Sequence, residues 1–164
     1  MFAQELQVQG MGDTITARGN VRTQLYNTGT ETRRTPMLTR SEQLVARRND
    51  RRIDLSGGVT MQDEQRTITA DHASLFLDAA RKFDRMEAEK NVVMNDAATG
   101  RKATGDKALY NLKTKIVLID GSPATATAPT GNLSGEHIRV DLARNKVEIM
   151  SPTAPTQGTY KPQP

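Results

Sequence analysis

Apolar and polar residues alternate along most of the chain, so that every second residue is apolar. The clearest run holds Ala73, Leu75 and Leu77, and two further runs keep the same spacing through Ala108, Tyr110, Leu112 and through Ile138, Val140, Leu142. A period of two is typical of a half-buried β-strand. No window of twelve or more residues keeps the i, i+3, i+4 apolar stripe of an amphipathic helix. The pattern therefore predicts an all-β protein.

The alternating runs belong to a repeat. Residues 68–77, 103–112 and 133–142 each place a small residue before an acid and apolar residues at the same three later offsets. Such self-similarity indicates a supersecondary unit that buries its apolar face by stacking on copies of itself. We therefore expect function along the stacked surface rather than in one pocket.

Each repeat also contains a step that breaks the alternation. The apolar positions are three residues apart between Ala70 and Ala73, and the same step recurs at Gly105–Ala108 and Gly135–Ile138. One extra residue reverses the facing of everything after it, which predicts a β-bulge or sharp bend. The intervening strands carry a small or polar pair that predicts a matching bend, at Gly19-Asn20-Val21, Gly57-Gly58-Val59, Lys90-Asn91-Val92 and, in degenerate form, Gly121-Ser122-Pro123.

Weaker copies of the repeat extend toward the N-terminus, at residues 41–46 and 3–8. We therefore expect one domain over residues 1–150, formed by a repeat array that is truncated at its N-terminal end. The polar segment Asn27–Pro36 predicts a long loop. The proline-rich segment 151–164 predicts a disordered tail.

Composition restricts the chemistry. The chain has 164 residues and no cysteine, which excludes disulfides, thiolate metal sites and cysteine nucleophiles. Its 23 lysine and arginine residues exceed its 19 acidic residues, a mild excess that favours anionic partners. The few aromatic residues are not grouped on one strand face, so we do not expect nucleic acid binding.

Arginine pairs are denser than on an ordinary surface. Arg47, Arg48, Arg51 and Arg52 flank one predicted turn, and arginine binds phosphate through its two-pronged guanidinium. They are candidate anion contacts, and solvated ends of a loop are the alternative interpretation.

Candidate catalytic and metal-binding groups are few. His72 and His137 occupy a repeat position that holds Gln43 and Lys107 in other copies, a position open to any polar residue. The acids Asp71, Asp106 and Glu136 recur beside the bend, where they are expected to cap the backbone or pair with a lysine or arginine. We therefore expect no metal, no cofactor and no catalysis.

The chain resembles a known family at this level of detail. The sequences Gly105-Asp106-Lys107 and Gly19-Asn20-Val21 followed by Arg22-Thr23-Gln24, with a spacing near thirty residues, resemble the OstA-like family of lipopolysaccharide-transport proteins. The family includes LptA, which the chain resembles most, LptC and the N-terminal domain of LptD. The resemblance covers about residues 3–150. It implies an open, V-shaped β-jellyroll of two facing antiparallel sheets in the periplasm, with lipid A acyl chains passing between them.

The resemblance also implies a place for the lipid. An acyl-chain groove needs a continuous apolar inner face, and burial yields roughly 0.8 kcal/mol per methylene. The candidate groove residues are Leu44, Val59, Ile68, Leu75, Leu77, Val92, Ala108, Tyr110, Leu112, Ile138, Val140 and Leu142. The same apolar face would also fit a closed β-sandwich with a filled core.

The resemblance implies partners as well. Family members join end to end through their terminal strands, and open array ends at residues 3–8 and 146–150 predict head-to-tail self-association and contact with other Lpt proteins. Alternatives within the family are an LptC-like subunit or an LptD N-terminal domain. An alternative of another class is a β-repeat scaffold that binds only protein, and an enzyme is the least favoured.

Overall fold

The computed structural model describes residues 1–26, 36–63, 65–150 and 157–160. These residues form eleven β-strands and one 3-10 turn at Gly10–Gly12, with no α-helix in the ranges just given. The predicted all-β class is confirmed. The strands are β1 Glu5–Gln9, β2 Thr14–Leu25, β3 Met37–Arg47, β4 Arg52–Asp63, β5 Arg66–Leu77, β6 Phe83–Asp96, β7 Arg101–Asn111, β8 Ile116–Ala128, β9 Gly131–Asp141, β10 Lys146–Ile149 and β11 Gln157–Tyr160.

Strands β1 to β10 pair in sequence order as one antiparallel meander, and β11 pairs with β9. Polar turns with local hydrogen bonds connect them. The Asp78 carboxylate accepts the backbone N–H groups of Ala80 at 2.9 Å and Lys82 at 3.0 Å. Asn111 accepts those of Lys113 and Thr114 in the equivalent turn, each at 3.0 Å. An acid or amide that binds the backbone two to four residues later favours a tight turn, so each strand returns beside its predecessor.

A crease crosses the sheet where the sequence predicts bends. Every pairing from β2–β3 to β8–β9 shifts register there, for example between Ser56 and Val59 of β4. The predicted bulges are therefore confirmed. In β4 the bend is formed by two residues with positive φ, Gly57 at 81° and Gly58 at 65°. A Cβ on Gly105 would lie 2.5 Å from the backbone oxygen of Asp120, so only glycine lets β7 and β8 approach this closely.

The crease divides the sheet into two layers. Layer I contains β1, β10 and the strand halves at residues 14–18, 43–47, 52–56, 72–77, 83–89, 107–111, 116–120 and 137–141. Layer II contains β11 and the halves at residues 21–25, 37–41, 59–63, 66–70, 92–96, 101–105, 124–128 and 131–135. The crease and the paired halves confirm the open jellyroll that the sequence predicts.

The two layers face each other and enclose the core. A cavity of about 20 Å³ is lined by Met61 and Ile68 of layer II and by Met86, Tyr110 and Val117 of layer I. Residues of both layers can line one cavity only if their inner faces are opposed. Each layer therefore buries one apolar face and exposes the other.

The C-terminal segment differs in part from the sequence expectation. Gln157–Tyr160 form β11, opposite Gly131–Ser134 of β9, within the segment predicted to be a disordered tail. These four residues include no proline, so their N–H groups can join the ladder. Strand β8 pairs with one edge of this half of β9, and β10 leaves the other edge open. The rest of that tail, and most of the predicted loop Asn27–Pro36, lie outside the described residues.

Candidate functional site

The predicted groove residues all lie on the inner faces of the two layers. Nine are buried, and Leu77, Leu112 and Leu142 are partly buried against them. Leu75, Ile138 and Leu44 are at most 1% exposed, which means that the protein's own side chains fill the interior around them. The middle of the interior is thus a packed core in this structure, as in the filled-sandwich alternative.

Methionines surround the narrow point of this interior. The 20 Å³ cavity is lined by Met37, Met61 and Met94 from layer II and by Met86 from layer I. Methionine is unbranched and polarisable, so it fills irregular gaps and repacks at low cost. These four residues are not among the predicted groove residues, although each stands at an inward position of an alternating strand. The centre is therefore closed by the side chains that can most easily move.

The interior opens at its C-terminal end. A cavity of about 410 Å³ lies there between Ala103, Ala126 and Leu133 of layer II and Val140 and Val147 of layer I. We call it the C-terminal cavity. Its volume lies in the range of small-molecule sites, which are mostly apolar with a few polar groups. Of the predicted groove residues, Val140 lines this cavity directly.

Charged residues form the free edge of layer II. Asp63, Arg66, Asp96 and Arg101 follow the inward alternation of the neighbouring apolar residues. We call them the inner rim. Arg66 Nε lies 3.3 Å from an Asp96 oxygen, and Arg66 Nη1 lies 3.9 Å from an Asp63 oxygen. Arg66 is thus neutralised within its own layer.

Arg101 of the inner rim makes a different contact. Its Nη1 donates to the backbone oxygen of Asn145 at 2.9 Å and to the Asn145 side-chain oxygen at 2.5 Å. Asn145 lies in the turn between β9 and β10, at the free edge of layer I. The contact therefore joins the free edges of the two layers beside the C-terminal cavity, which Arg101 also lines.

The rim acts electrostatically on the opposite layer. Burial raises the pKa of Tyr110, the nearby Asp63 carboxylate raises it further, and Arg66 lowers it in part. Tyr110 stands on the inner face of layer I, so this coupling reaches across the interior. The phenol stays neutral at physiological pH and leaves the interior uncharged at this point.

A cavity larger than the C-terminal cavity lies at the N-terminal end of layer II. It measures about 930 Å³ and is lined by Arg22, Gln24, Leu38 and Arg40, together with Phe2. These four strand residues are exposed and alternate with the buried Thr23 and Thr39, so they project from the outer face of layer II. Its lining places the cations Arg22 and Arg40 beside the apolar Phe2 and Leu38.

The predicted anion contacts divide into two pairs. Arg47 and Arg52 both bind Asp54, and Arg52 Nε lies 2.6 Å from its carboxylate. Burial opposes ionisation of Asp54, but hydrogen bonds from Ser74 and Arg52 outweigh it and hold the pKa of Asp54 below its usual value. Arg48 and Arg51 are exposed in the turn between β3 and β4. An anion can reach Arg48 and Arg51 without breaking the ion pairs that Arg47 and Arg52 form with Asp54, and this anion contact stays a hypothesis.

The histidines and recurring acids lie near the crease. His137 Nδ1 is 2.7 Å from an Asp120 oxygen, while Asp71 accepts a hydrogen bond of 2.9 Å from Asn91 across the bend. Asp71 was expected to cap the backbone or pair with a lysine or arginine, and the structure shows it bound to a neutral amide. Within the described ranges, no three histidine or acidic residues are grouped as a metal site would require.

The N-terminal edge of layer I exposes apolar side chains. Leu6 lies opposite Ala17 and Val8 opposite Ile15, which places them on the inner face, yet they are 60% and 57% exposed. In the part of the chain that the structure describes, layer II reaches this edge only through the bridge between Phe2 and Arg22. The interior is thus uncovered at its N-terminal end. No described helix is long and apolar enough to cross a membrane.

Comparisons with known proteins agree with this architecture. Residues 39–146 match a family model described as LptA/(LptD N-terminal domain) LPS transport protein. Among solved structures, the chain is similar to LptH, the LptA-homologous periplasmic component of the lipopolysaccharide transport device of Pseudomonas aeruginosa. The TM-score is 0.70 at 15% identity, over 78% of this chain and 96% of that chain. No curated protein sequence matches significantly.

Proposed function

Because the chain belongs to the LptA/(LptD N-terminal domain) family of lipopolysaccharide-transport proteins, we propose that it binds lipopolysaccharide by its lipid A acyl chains, between layers I and II. The observation that carries the proposal is the continuous apolar interior, which opens at the C-terminal cavity of about 410 Å³. Acyl chains need such a surface, since each buried methylene contributes roughly 0.8 kcal/mol.

The closed middle of the interior sets the mechanism. An acyl chain enters at the C-terminal cavity and advances as the methionines around the narrow point repack. The crease allows the layers to separate, because the β-ladder within each layer is kept when the angle between them changes. The protein acts as a passive carrier without catalysis or cofactor, and the energy for movement comes from elsewhere.

The carrier works in the periplasm, most like LptA, and contacts copies of itself and other Lpt proteins through its edge strands. The exposed inner residues Leu6 and Val8 of β1 support this arrangement, because a second domain placed against β1 would cover them. At the other end, β10 presents a strand edge of Lys146–Ile149. An exposed strand edge is a template for pairing with another chain.

Photo-crosslinking tests the location of the lipid. A photoreactive residue replaces Leu133, which faces the C-terminal cavity, or its neighbour Asn132, which is exposed on the other face. We expect lipopolysaccharide to crosslink at position 133 and at background level at position 132. Equal crosslinking at both positions would contradict binding between the layers.

A charge inside the interior gives a second test. Val140→Arg is expected to abolish crosslinking at position 133, because a guanidinium in the cavity opposes entry of an acyl chain. Arg139→Ala, on the outer face, is the neighbouring control. Circular dichroism accompanies both variants, and a folded Val140→Arg protein that binds lipid fully would place the lipid elsewhere.

The edge contacts are tested by light scattering. Val147→Pro removes a backbone donor in β10 and is expected to convert concentration-dependent oligomers of the wild type to monomers. A wild type that stays monomeric at every concentration would contradict head-to-tail assembly.

A further inference from the structure

The two arginines of the inner rim, Arg66 and Arg101, contact different kinds of acceptor. Arg66 has two carboxylates within 4 Å, at 3.3 Å and 3.9 Å. The hydrogen bonds of Arg101 go instead to the uncharged oxygens of Asn145. Asp96 lies opposite Arg101 in the register, but its two oxygens bind Arg66 and the backbone N–H groups of Ala98 and Thr99. Arg101 is thus a cation held by neutral acceptors.

The position of Arg101 connects this charge to the lipid site. The side chain is half-buried, lines the C-terminal cavity and stands at its edge, where Ala103 and Ala126 begin the apolar wall. Both hydrogen bonds to Asn145 use Nη1, so Nη2 and Nε are not used in this contact. Those atoms present a pair of N–H donors that matches two oxygens of a phosphate.

We propose that Arg101 binds, through Nε and Nη2, a phosphate group of the lipid whose acyl chain occupies the C-terminal cavity, while Nη1 keeps its contact with Asn145. A phosphate adds the attraction between opposite charges to these hydrogen bonds, which the uncharged oxygens of Asn145 cannot supply. This inference rests on the proposed function and adds a determinant of which amphiphile is accepted.

The test compares lipid A with its enzymatically dephosphorylated form, each displacing a neutral fluorescent acyl probe from the protein. The wild type is expected to bind lipid A about tenfold more tightly than the dephosphorylated form. Arg101→Gln keeps a donor for Asn145 and removes the charge. We expect it to lower the affinity for lipid A about tenfold and leave that for the dephosphorylated form unchanged.

Three further variants separate phosphate binding from a merely structural role. Arg81→Gln removes the same charge from an exposed turn of layer I and is expected to bind both lipids like the wild type. Asn145→Ala removes the side-chain acceptor and is expected to keep the preference for lipid A. Arg101→Lys keeps the charge without the paired donors and is expected to retain part of the preference, which gives a second measurement if Arg101→Gln folds poorly.

Distinct outcomes overturn distinct claims. If Arg101→Gln weakens both lipids equally, or if Asn145→Ala weakens lipid A as strongly, Arg101 only holds the layers together and the inference is wrong. A wild type that binds both lipids equally also overturns the inference and leaves the proposed function standing. If neither lipid displaces the probe, both the inference and the proposed function are wrong. Inorganic phosphate alone is expected not to displace the probe, and displacement by it would show a simple anion site instead.

Discussion

The two layers of this sheet are built from the same strands but line the interior with different side chains. Layer I contributes large buried residues, among them Leu44, Leu55, Leu75, Ile119 and Ile138. Layer II contributes many small or hydroxylated ones, including buried Thr23, Thr39, Ala103, Ala124 and Ala126. Layer I therefore contributes most of the large side chains of the core, whereas layer II leaves more room in the interior and contributes more polar groups.

The difference extends to the edges and outer faces. The carboxyl groups whose pKa values are lowered, Asp54, Asp78, Asp141 and Glu148, all belong to layer I or its turns. Layer II instead carries its charged inner rim beside the cavity. Layer I therefore stabilises the fold through core and surface together, while the inner face of layer II is built from smaller and more polar side chains.

The largest effect is expected from truncating layer I. Leu75 is fully buried, so Leu75→Ala should lower the free energy of unfolding by about 2–5 kcal/mol, measured by urea denaturation. Met94→Ala in layer II should cost less, because Met94 already borders the C-terminal cavity and less new void is created. Equal losses of unfolding free energy in the two variants would contradict this difference between the layers.

A smaller effect is expected from the polar pair of layer II. The hydroxyl groups of Thr23 and Thr39 are buried and hydrogen-bonded to each other. Thr23→Val leaves the Thr39 hydroxyl without this partner and should cost about 1–3 kcal/mol of unfolding free energy. Thr39→Val added to it should cost little more, because the unsatisfied group is then gone. If the double variant lost clearly more unfolding free energy than Thr23→Val alone, the two hydroxyl groups would not stabilise the protein as a hydrogen-bonded pair.

Filling the space in layer II should change stability least among the core variants. Ala126 lines the C-terminal cavity, so Ala126→Leu should shift the unfolding free energy by less than about 1 kcal/mol, as burial of new methylenes offsets strain. Lipopolysaccharide affinity should fall, since the added carbons occupy the cavity. Asn132→Leu, on the outer face of the same layer, is the control. Unchanged lipid affinity in Ala126→Leu would mean that the cavity is not used.

The smallest effect is expected from acid. Asp54 has a lowered pKa in the folded state, so its ionised form stabilises the protein above its ordinary pKa, and this contribution disappears as the pH falls through the folded value. For this partly exposed group the contribution is about 0.5 kcal/mol. Asp54→Asn should flatten the decline of the urea midpoint between neutral pH and about pH 3. A curve identical to the wild type would contradict the assignment.

The sequence is sufficient for the strands and the crease. Alternation and the three-residue step at Ala70–Ala73 are local properties, and neither needs a tertiary contact to be recognised. The four methionines of the narrow point could have been found in the same way, because they alternate with polar residues in their strands. The inward residues were identified correctly, but their packing was not, because the gap between layers depends on the combined volumes of residues far apart in sequence.

Contacts that cross the interior were beyond sequence reasoning. Arg101 and Asn145 are 44 residues apart, and no spacing rule connects the start of one strand with a turn two hairpins later. Strand β11 was missed because four residues among prolines carry too little pattern, and its pairing depends on an edge that only the folded β9 presents. The composition of the segment disfavours a strand, and at Gln157–Tyr160 an available ladder overrides this propensity.

The unbroken meander has a consequence for how the chain folds and how such arrays change in evolution. Because β1 to β10 each pair with their neighbours in sequence, contact order is low for an all-β protein, and folding can spread from any central hairpin. One hairpin can likewise be duplicated or lost without a crossover elsewhere. The length of the interior then depends on the number of hairpins, and gene duplication changes this number by whole hairpins.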